Sequence, residues 1–261
     1  MAKVKKALFM FIDLFGLEKF DYNTLVCSVG EGNIFFHSRP LKVRFFITVK
    51  KNYRAVAYHN WTHGFHVANC VYSMLKNAPG YFSLLESLAM FIGALCHDLD
   101  HRGFNNKFMI DIGSPLAAIY STSTMEHHHF NMAVNILQNE NHNIFKKMNS
   151  EEYKQVLGNI KHCILATDLA LFFPNKAKLM ELIEADSFDW SSMEHRLLIQ
   201  TMVMTGSDLC ASAKPWEQQI KTVAVIYEEF YIQVSDEMRS LLMFCCRETT
   251  RGRRGRSRSR S

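Results

Sequence analysis

The segment from Leu84 to Cys96 is mostly apolar, places Leu85, Leu88, Ile92 and Leu95 at intervals of three and four, and runs straight into His97-Asp98-Leu99-Asp100-His101. That spacing predicts a helix, and a helix apolar on nearly every side has to be buried. Its end therefore carries an imidazole and a carboxylate into the interior. Such a pair is poorly compensated near a core unless it binds something, so the junction predicts a metal site and demands a fold that closes around it.

Helical patterning continues on both sides. Phe65, Ala68, Val71, Tyr72 and Leu75 follow steps of three and four, and residues 153–173, 196–210 and 222–231 read as buried helices without internal proline. Strand-like alternation is scarce. With 261 residues and 48% hydrophobic content, one substantial core is expected, and the fold class is all-α. Lys3 to Lys6 followed by Ala7-Leu8-Phe9-Met10-Phe11-Ile12 imitates a signal peptide, but Asp13 and Glu18 interrupt it and no cleavage site follows. A buried amphipathic helix is expected there instead. No stretch is long enough to span a bilayer. Seven scattered cysteines, an odd number, read as free thiols in a reducing compartment and predict a cytoplasmic protein.

Two segments break the pattern. Residues 26–43, punctuated by Gly30, Gly32, Asn33, Ser38 and Pro40, read as an inserted loop. Residues 247–261 form an Arg/Gly/Ser tail too polar and charged to pack, and are expected to be disordered. Arg251, Arg253, Arg254, Arg256, Arg258 and Arg260 supply more positive charge than the net +5 of the whole chain. The remainder is close to neutral, so nucleic acid is expected as a partner only through the tail.

Histidines four apart on a helix share a face, which would bring His59 and His63 together, although that spacing alone is weak. Asp208 follows Leu198, Met202 and Thr205 on a run apolar enough to be buried, where a lone carboxylate is costly. His63, His97, Asp98 and Asp208 then make a mixed nitrogen and oxygen set suited to Zn²⁺ or another transition-metal dication. The second oxygen of Asp98 can bridge to a harder ion, Mg²⁺ or Mn²⁺. This composition points to a two-metal hydrolytic site, in which a water is deprotonated at neutral pH and charge on a phosphoryl group is offset. A histidine near the ions but outside their shell would protonate the leaving oxygen, a role that suits His59.

Tyr58-His59-Asn60-Trp61-Thr62-His63, His97 to Gly103, Met125 to Phe130, Ile164-Leu165-Ala166-Thr167-Asp168-Leu169 and Ser207-Asp208-Leu209, in this order, together resemble the catalytic domain of the animal class I cyclic nucleotide phosphodiesterases. The resemblance covers about Tyr53 to Gln233, with a shorter match from Ala7 to Leu25. It implies a compact all-helical domain of the HD type, spanning residues 1–246, that hydrolyses the 3′,5′-cyclic phosphate of cAMP or cGMP to the 5′-monophosphate in cyclic-nucleotide signalling. It implies His59 as general acid, His63, His97, Asp98 and Asp208 as zinc ligands, and His101, Glu126 and Thr167 as holders of the second ion's waters. It also implies substrate contacts from Tyr58, His59, His63, Asp98, Asp208 and Leu169. Tyr120 to Glu126, Lys214-Pro215-Trp216-Glu217 and Ala211 are more similar to the cGMP-hydrolysing and dual-specificity members. The histidines His127, His128 and His129 read as packing or hydrogen-bonding groups, His66, His142, His162 and His195 as ordinary helix or loop residues, and Met202 and Met204 as core filling.

The resemblance fails beyond Gln233, where family members continue through further helices. That part is expected to supply the glutamine and phenylalanine that hold the purine and the acidic residue that orients the acid histidine. Their loss should weaken substrate binding and expose apolar surface. Two readings follow: a phosphodiesterase with a complete metal site, its activity impaired by truncation, or an inactive fragment that binds metal or a partner. The expected partner is a cyclic nucleotide, with no membrane and with a homodimer left open.

Overall fold

Eleven α-helices carry nearly all the regular structure of this computed structural model, which describes residues 1–16, 27–30, 33–36 and 41–256. They are α1 (Ala2–Phe15), α2 (Leu41–Lys51), α3 (Trp61–Asn77), α4 (Leu84–Cys96), α5 (Asn106–Asp111), α6 (Pro115–Ile119), α7 (Thr124–Gln138), α8 (Ser150–Leu165), α9 (Leu169–Glu184), α10 (Met193–Asp208) and α11 (Trp216–Arg256). A 3-10 turn, Leu209–Ala213, links the last two. The expected all-helical class is the one observed, and the expected amphipathic N-terminal helix is α1, which buries Val4, Ala7, Leu8 and Phe11.

Helix α4 forms the middle of the core. It starts at a capping box in which Ser83 and Glu86 satisfy each other's backbone N–H groups, and Leu88 through Ala94, Leu95 and Cys96 are buried. It packs chiefly against α8 and α3. Close approach to α8 depends on Gly93, because a Cβ there would lie 2.9 Å from Cys163 Cβ. Phe11, Phe15, Phe46 and Phe91 interlock at ring-centroid distances of 5.1–6.3 Å and tie α1 and α2 onto the same core.

Three sequence expectations are corrected. Residues 153–173 are two helices, because the chain turns at Ala166 to Asp168 and Asp168 caps α9 by accepting from Ala170 N. Residues 222–231 are helical but largely exposed, with Val223, Tyr227, Phe230 and Tyr231 at the surface. The apolar surface expected to be exposed lies here. The third concerns the tail: α11 continues to Arg256, through residues 247–256 that composition marks as disordered. Nothing between Trp216 and Arg256 is proline, and helix propagation adds one backbone hydrogen bond per residue once begun. Residues 257–261 lie outside the described residues.

Within the segment read as an inserted loop, Cys27–Gly30 and Asn33–Phe36 form an antiparallel two-stranded hairpin, β1 and β2, with Cys27 opposite Phe36. Residues 31–32 and 37–40 lie outside the described residues. Among the described residues no single helix is long and apolar enough to cross a membrane.

Candidate active site

The end of α4 delivers its two polar groups inward, as its pattern predicts. His97 takes the C-cap position with helical φ and ψ, and its Nδ1–H donates to Ala94 O at 2.8 Å. That bond leaves Nε2 to face the site, the arrangement metal-binding histidines use. The next turn is tight. Asp100 adopts a left-handed φ of 60°, held by Arg54 Nε at 2.6 Å, His128 Nε2 at 2.8 Å and its own N–H to Asn52 O at 2.8 Å. This strained turn lets both Asp98 and His101 point inward.

Helix α3 brings His63 and α10 brings Asp208. His63 Nε2 lies 2.8 Å from Asp208 Oδ1, 3.4 Å from Asp98 Oδ2 and 3.2 Å from His97 Nε2. His97 Nε2 lies 3.1 Å from Asp98 Oδ2 and 3.2 Å from Asp208 Oδ1. Ligand atoms about 2.0–2.1 Å from a tetrahedral zinc are separated by about 3.3 Å, and these five separations of 2.8–3.4 Å lie near that value. Asp98 Oδ2 is buried and accepts no hydrogen bond. Two imidazole nitrogens and two carboxylate oxygens facing one another, one of the oxygens without a hydrogen-bond partner, are a donor set that fits a dication.

The electrostatics follow from burial and charge. Burial opposes ionisation of Asp98, Asp208 and His97, yet mutual attraction outweighs it: both carboxyl groups are held below their ordinary range, mainly by His97, and His97 is pushed well above 6.5 by the two aspartates. His101 and His129 go the other way. Burial, with the charge of His59 beside His101, lowers them to about 3 and about 4, so both are neutral near pH 7. His129 Nδ1 donates to Leu99 O at 2.5 Å and its Nε2 sits 3.8 Å from Asp98 Oδ1. Asp98, His101 and His129 thus form a second cluster able to hold an ion on the other side of the same carboxylate.

His59 stands just before α3, outside the helix, since Asn60 is the N-cap. The i, i+4 argument for pairing it with His63 therefore does not apply, although the rings lie 5.6 Å apart. What positions His59 is Glu229 of α11, whose carboxylate accepts from His59 Nδ1, from Tyr58 N at 2.7 Å and from His59 N at 3.1 Å. Burial depresses the imidazole, but the Glu229 hydrogen bond and the Asp98, Glu229 and Asp208 charges leave it raised above 6.5. Glu229 falls to about 2, its own burial outweighed by His59 and the backbone donors. The acidic partner of His59, assigned from sequence to a segment beyond Gln233, is thus within this chain.

Glu229 left a faint signal. It falls on the inner stripe of α11 with Thr222, Val225, Ile226 and Gln233, at helical spacing, but nothing local separates it from the exposed Glu228. Asn106 was likewise missed: its Nδ2 donates to Glu126 Oε2 at 2.9 Å, and burial raises Glu126 to about 7.

A cavity of about 440 Å³ is lined by His59, Asp98, His101, Glu126, Thr167, Leu169 and Asp208. Thr167 Oγ1 donates to Ile164 O at 2.7 Å at the bend between α8 and α9. Tyr58 and His63 border a neighbouring cavity of about 400 Å³ with Ala211, Lys214 and Lys221, and His97 is buried. Three other histidines are engaged elsewhere: His162 Nε2 with Leu197 O, His142 with Thr48, and His127 with Thr122 O.

The chain is 59% identical over 191 residues to the "Probable 3′,5′-cyclic phosphodiesterase pde-5" of Caenorhabditis elegans, covering 73% of this chain and 26% of that protein. It is 43% identical over 246 residues to the "Dual 3′,5′-cyclic-AMP and -GMP phosphodiesterase 11A" of Takifugu rubripes, covering 92% and 25%. It is 45% identical over 192 residues to a "cGMP-specific 3′,5′-cyclic phosphodiesterase" of Drosophila melanogaster, covering 73% and 17%. The chain thus spans about a quarter or less of the length of these relatives. Residues 58–253, from the motif of His59 and His63 to beyond Glu229, match the 3′5′-cyclic nucleotide phosphodiesterase family, and the chain belongs to that family.

Proposed function

We propose that this chain is the catalytic domain, residues 1–246, of a cytoplasmic phosphodiesterase that hydrolyses cGMP, cAMP or both to 5′-monophosphates. The convergence of His63 Nε2, His97 Nε2, Asp98 Oδ2 and Asp208 Oδ1 within 2.8–3.4 Å carries the reading. Those four would hold Zn²⁺. Asp98 would also serve a second ion, Mg²⁺ or Mn²⁺, with His101, Glu126 and Thr167 placed to hold its waters. Bound there, the two ions supply a water acidic enough to attack at neutral pH and offset the charge that develops on the phosphoryl oxygens.

The chain's own residues do the rest. Hydrolysis adds a hydroxyl group to phosphorus and a proton to the departing 3′ oxygen. His59 is the proton donor: its Nδ1 is taken by Glu229, which leaves the Nε2 proton to give. Tyr58, His63, Asp98, Asp208 and Leu169 provide the walls against which the nucleotide is held. The cGMP or dual preference rests on Ala211 beside the second cavity and on the relatives' names. A competing reading, metal binding without turnover, draws on the exposed apolar face of α11, where Tyr227, Phe230 and Tyr231 lie more than half exposed. Chain loaded with Zn²⁺ and Mg²⁺ and incubated with cGMP or cAMP separates the two. Formation of 5′-GMP or 5′-AMP is expected, and folded, metal-loaded protein that yields neither refutes the enzyme reading.

A further inference from the structure

The loop that leaves α4 does more than turn His101 inward. Gly103 lies in it, buried, with a φ of 80°, at a point where three parts of the site meet. Its N–H donates to His101 Nδ1 at 3.0 Å, which leaves the ring proton of neutral His101 on Nε2. The His101 ring in turn stacks on His59, with centroids 4.1 Å apart and planes 27° from parallel. Gly103 also faces α11, because a Cβ on it would lie 3.3 Å from Glu229 Cγ and 3.6 Å from Glu229 Cδ. Two residues on, Asn105 N–H donates to Gln233 Oε1 at 2.9 Å. The inner stripe of α11 therefore rests on this loop at two points, Gln233 on a backbone donor and Glu229 against the one residue that has no side chain.

We propose that Gly103 is a positioning residue for His59, acting on it from two sides: its missing side chain lets Glu229 close on His59 Nδ1, and its N–H fixes the His101 ring on which His59 stacks. The inference rests on the reading of His59 as the proton donor. Both roles need glycine. A φ of 80° is a conformation that L side chains adopt only at a cost, and this turn aims the N–H back at a ring two residues earlier. A methyl group 3.3 Å from Glu229 Cγ would be inside the optimal carbon–carbon separation of about 3.5–4.0 Å. Glu229 has little room to yield, since its carboxylate is already held by Tyr58 N at 2.7 Å and His59 N at 3.1 Å. Relief must then come as a shift of the acid against His59. A misplacement of about 1 Å costs on the order of 10²-fold in rate, so a shift of a few tenths of that should cost on the order of 3- to 10-fold. Gly80 marks the difference: it has a similar φ of 86°, but nothing lies within 4 Å of where its Cβ would stand.

Gly103→Ala beside Gly80→Ala tests this in the whole chain loaded with Zn²⁺ and Mg²⁺. Gly103→Ala should lower kcat on the order of 3- to 10-fold with KM within about two-fold of the parent, and Gly80→Ala should leave both unchanged. Combined with Glu229→Gln, Gly103→Ala should cost less than the product of the two single losses, because both act through one pairing. A second readout needs no substrate. The His59 Nδ1 proton, shared with the Glu229 carboxylate, should give a far-downfield NMR line, assigned by its loss in His59→Ala; Gly103→Ala should move that line upfield and Gly80→Ala should not. Gly103→Asn adds the same Cβ in a residue that tolerates positive φ, and it should move the line the same way even where Gly103→Ala does not fold. The proposal is overturned if the Gly103 variants keep the parent line and the parent kcat, if the loss multiplies in full with that of Glu229→Gln, or if Gly80→Ala is slowed as much. A parent chain that yields no 5′-nucleotide refutes the phosphodiesterase reading instead, and the NMR line then decides the role of Gly103 by itself.

Discussion

Glu229→Gln tests the least expected contact in the site. The amide keeps the shape and can still accept from the Tyr58 and His59 N–H groups, but it removes the charge that faces His59 Nδ1. Glu229 is 4% exposed at its side chain, so water screens that charge little. A hydrogen bond between charged partners contributes about 1.5–3 kcal/mol, a factor of about 10–150 at 1.4 kcal/mol per decade. Burial, already the largest influence on His59 and opposed mainly by Glu229, would then dominate and favour the neutral imidazole. The protonated fraction above the His59 midpoint, and turnover with it, should fall by about 10–100-fold, less than the about 10²–10⁴-fold a general acid supplies in full. The pH profile gives the sharper assay: the alkaline limb of kcat/KM should move to lower pH while zinc content, measured by atomic emission, stays at the parent level. Histidine-resolved NMR titration follows the same midpoint without substrate. A variant with parent-like kcat and an unmoved His59 titration would refute the reasoning, and loss of zinc would show that Glu229 supports the metal cluster.

Three further outcomes are expected. His59→Ala should abolish turnover and keep its zinc, whereas Asp208→Ala should lose the zinc, and equal metal loss in both would show that His59 is misassigned. Zn²⁺ at about 100 times its dissociation constant should stabilise the chain by about 2.7 kcal/mol, which for this size is a rise in Tm of about 5–10 °C; Asp98→Asn should erase the rise, and an unchanged shift would remove Asp98 from the site. Asp98 and Asp208 are held below their ordinary range and Glu229 lies near 2 instead of 4.5. These groups contribute stability that is present above about pH 4.5 and lost as pH falls toward 2, so urea midpoints of metal-free chain should drop across that window, and Glu229→Gln should shrink the drop.

The metal cluster was readable because each ligand carries a local mark. His97 and Asp98 interrupt a helix too apolar to be anywhere but inside, and Asp208 ends another mostly buried run. Helix α3, which brings in His63, begins one residue after Asn60, whose side chain accepts from Thr62 N, a cap that pairing His59 with His63 on one helix overlooks. The limits of periodicity show equally well. It joined α8 to α9 because Ala166 and Thr167 are as apolar or as neutral as helix residues, while the break is made by Asp168 capping and by Thr167 bonding back to Ile164 O. It also buried residues 222–231, since an apolar stripe announces that a face wants a partner and cannot say whether one is packed on it.

By itself, then, the order of residues determined which side chains would be carried inward and that together they suit a divalent cation, because burial and spacing are properties of single helices. Tertiary structure decided what lies across the gap. Glu229 meets His59 from 170 positions away, chosen over Glu228 only by the phase of α11. The Asp100 turn is pinned by Arg54 and His128. Each of these is a contact between elements distant in sequence, and such a contact has no energy until the fold has brought both partners out of water.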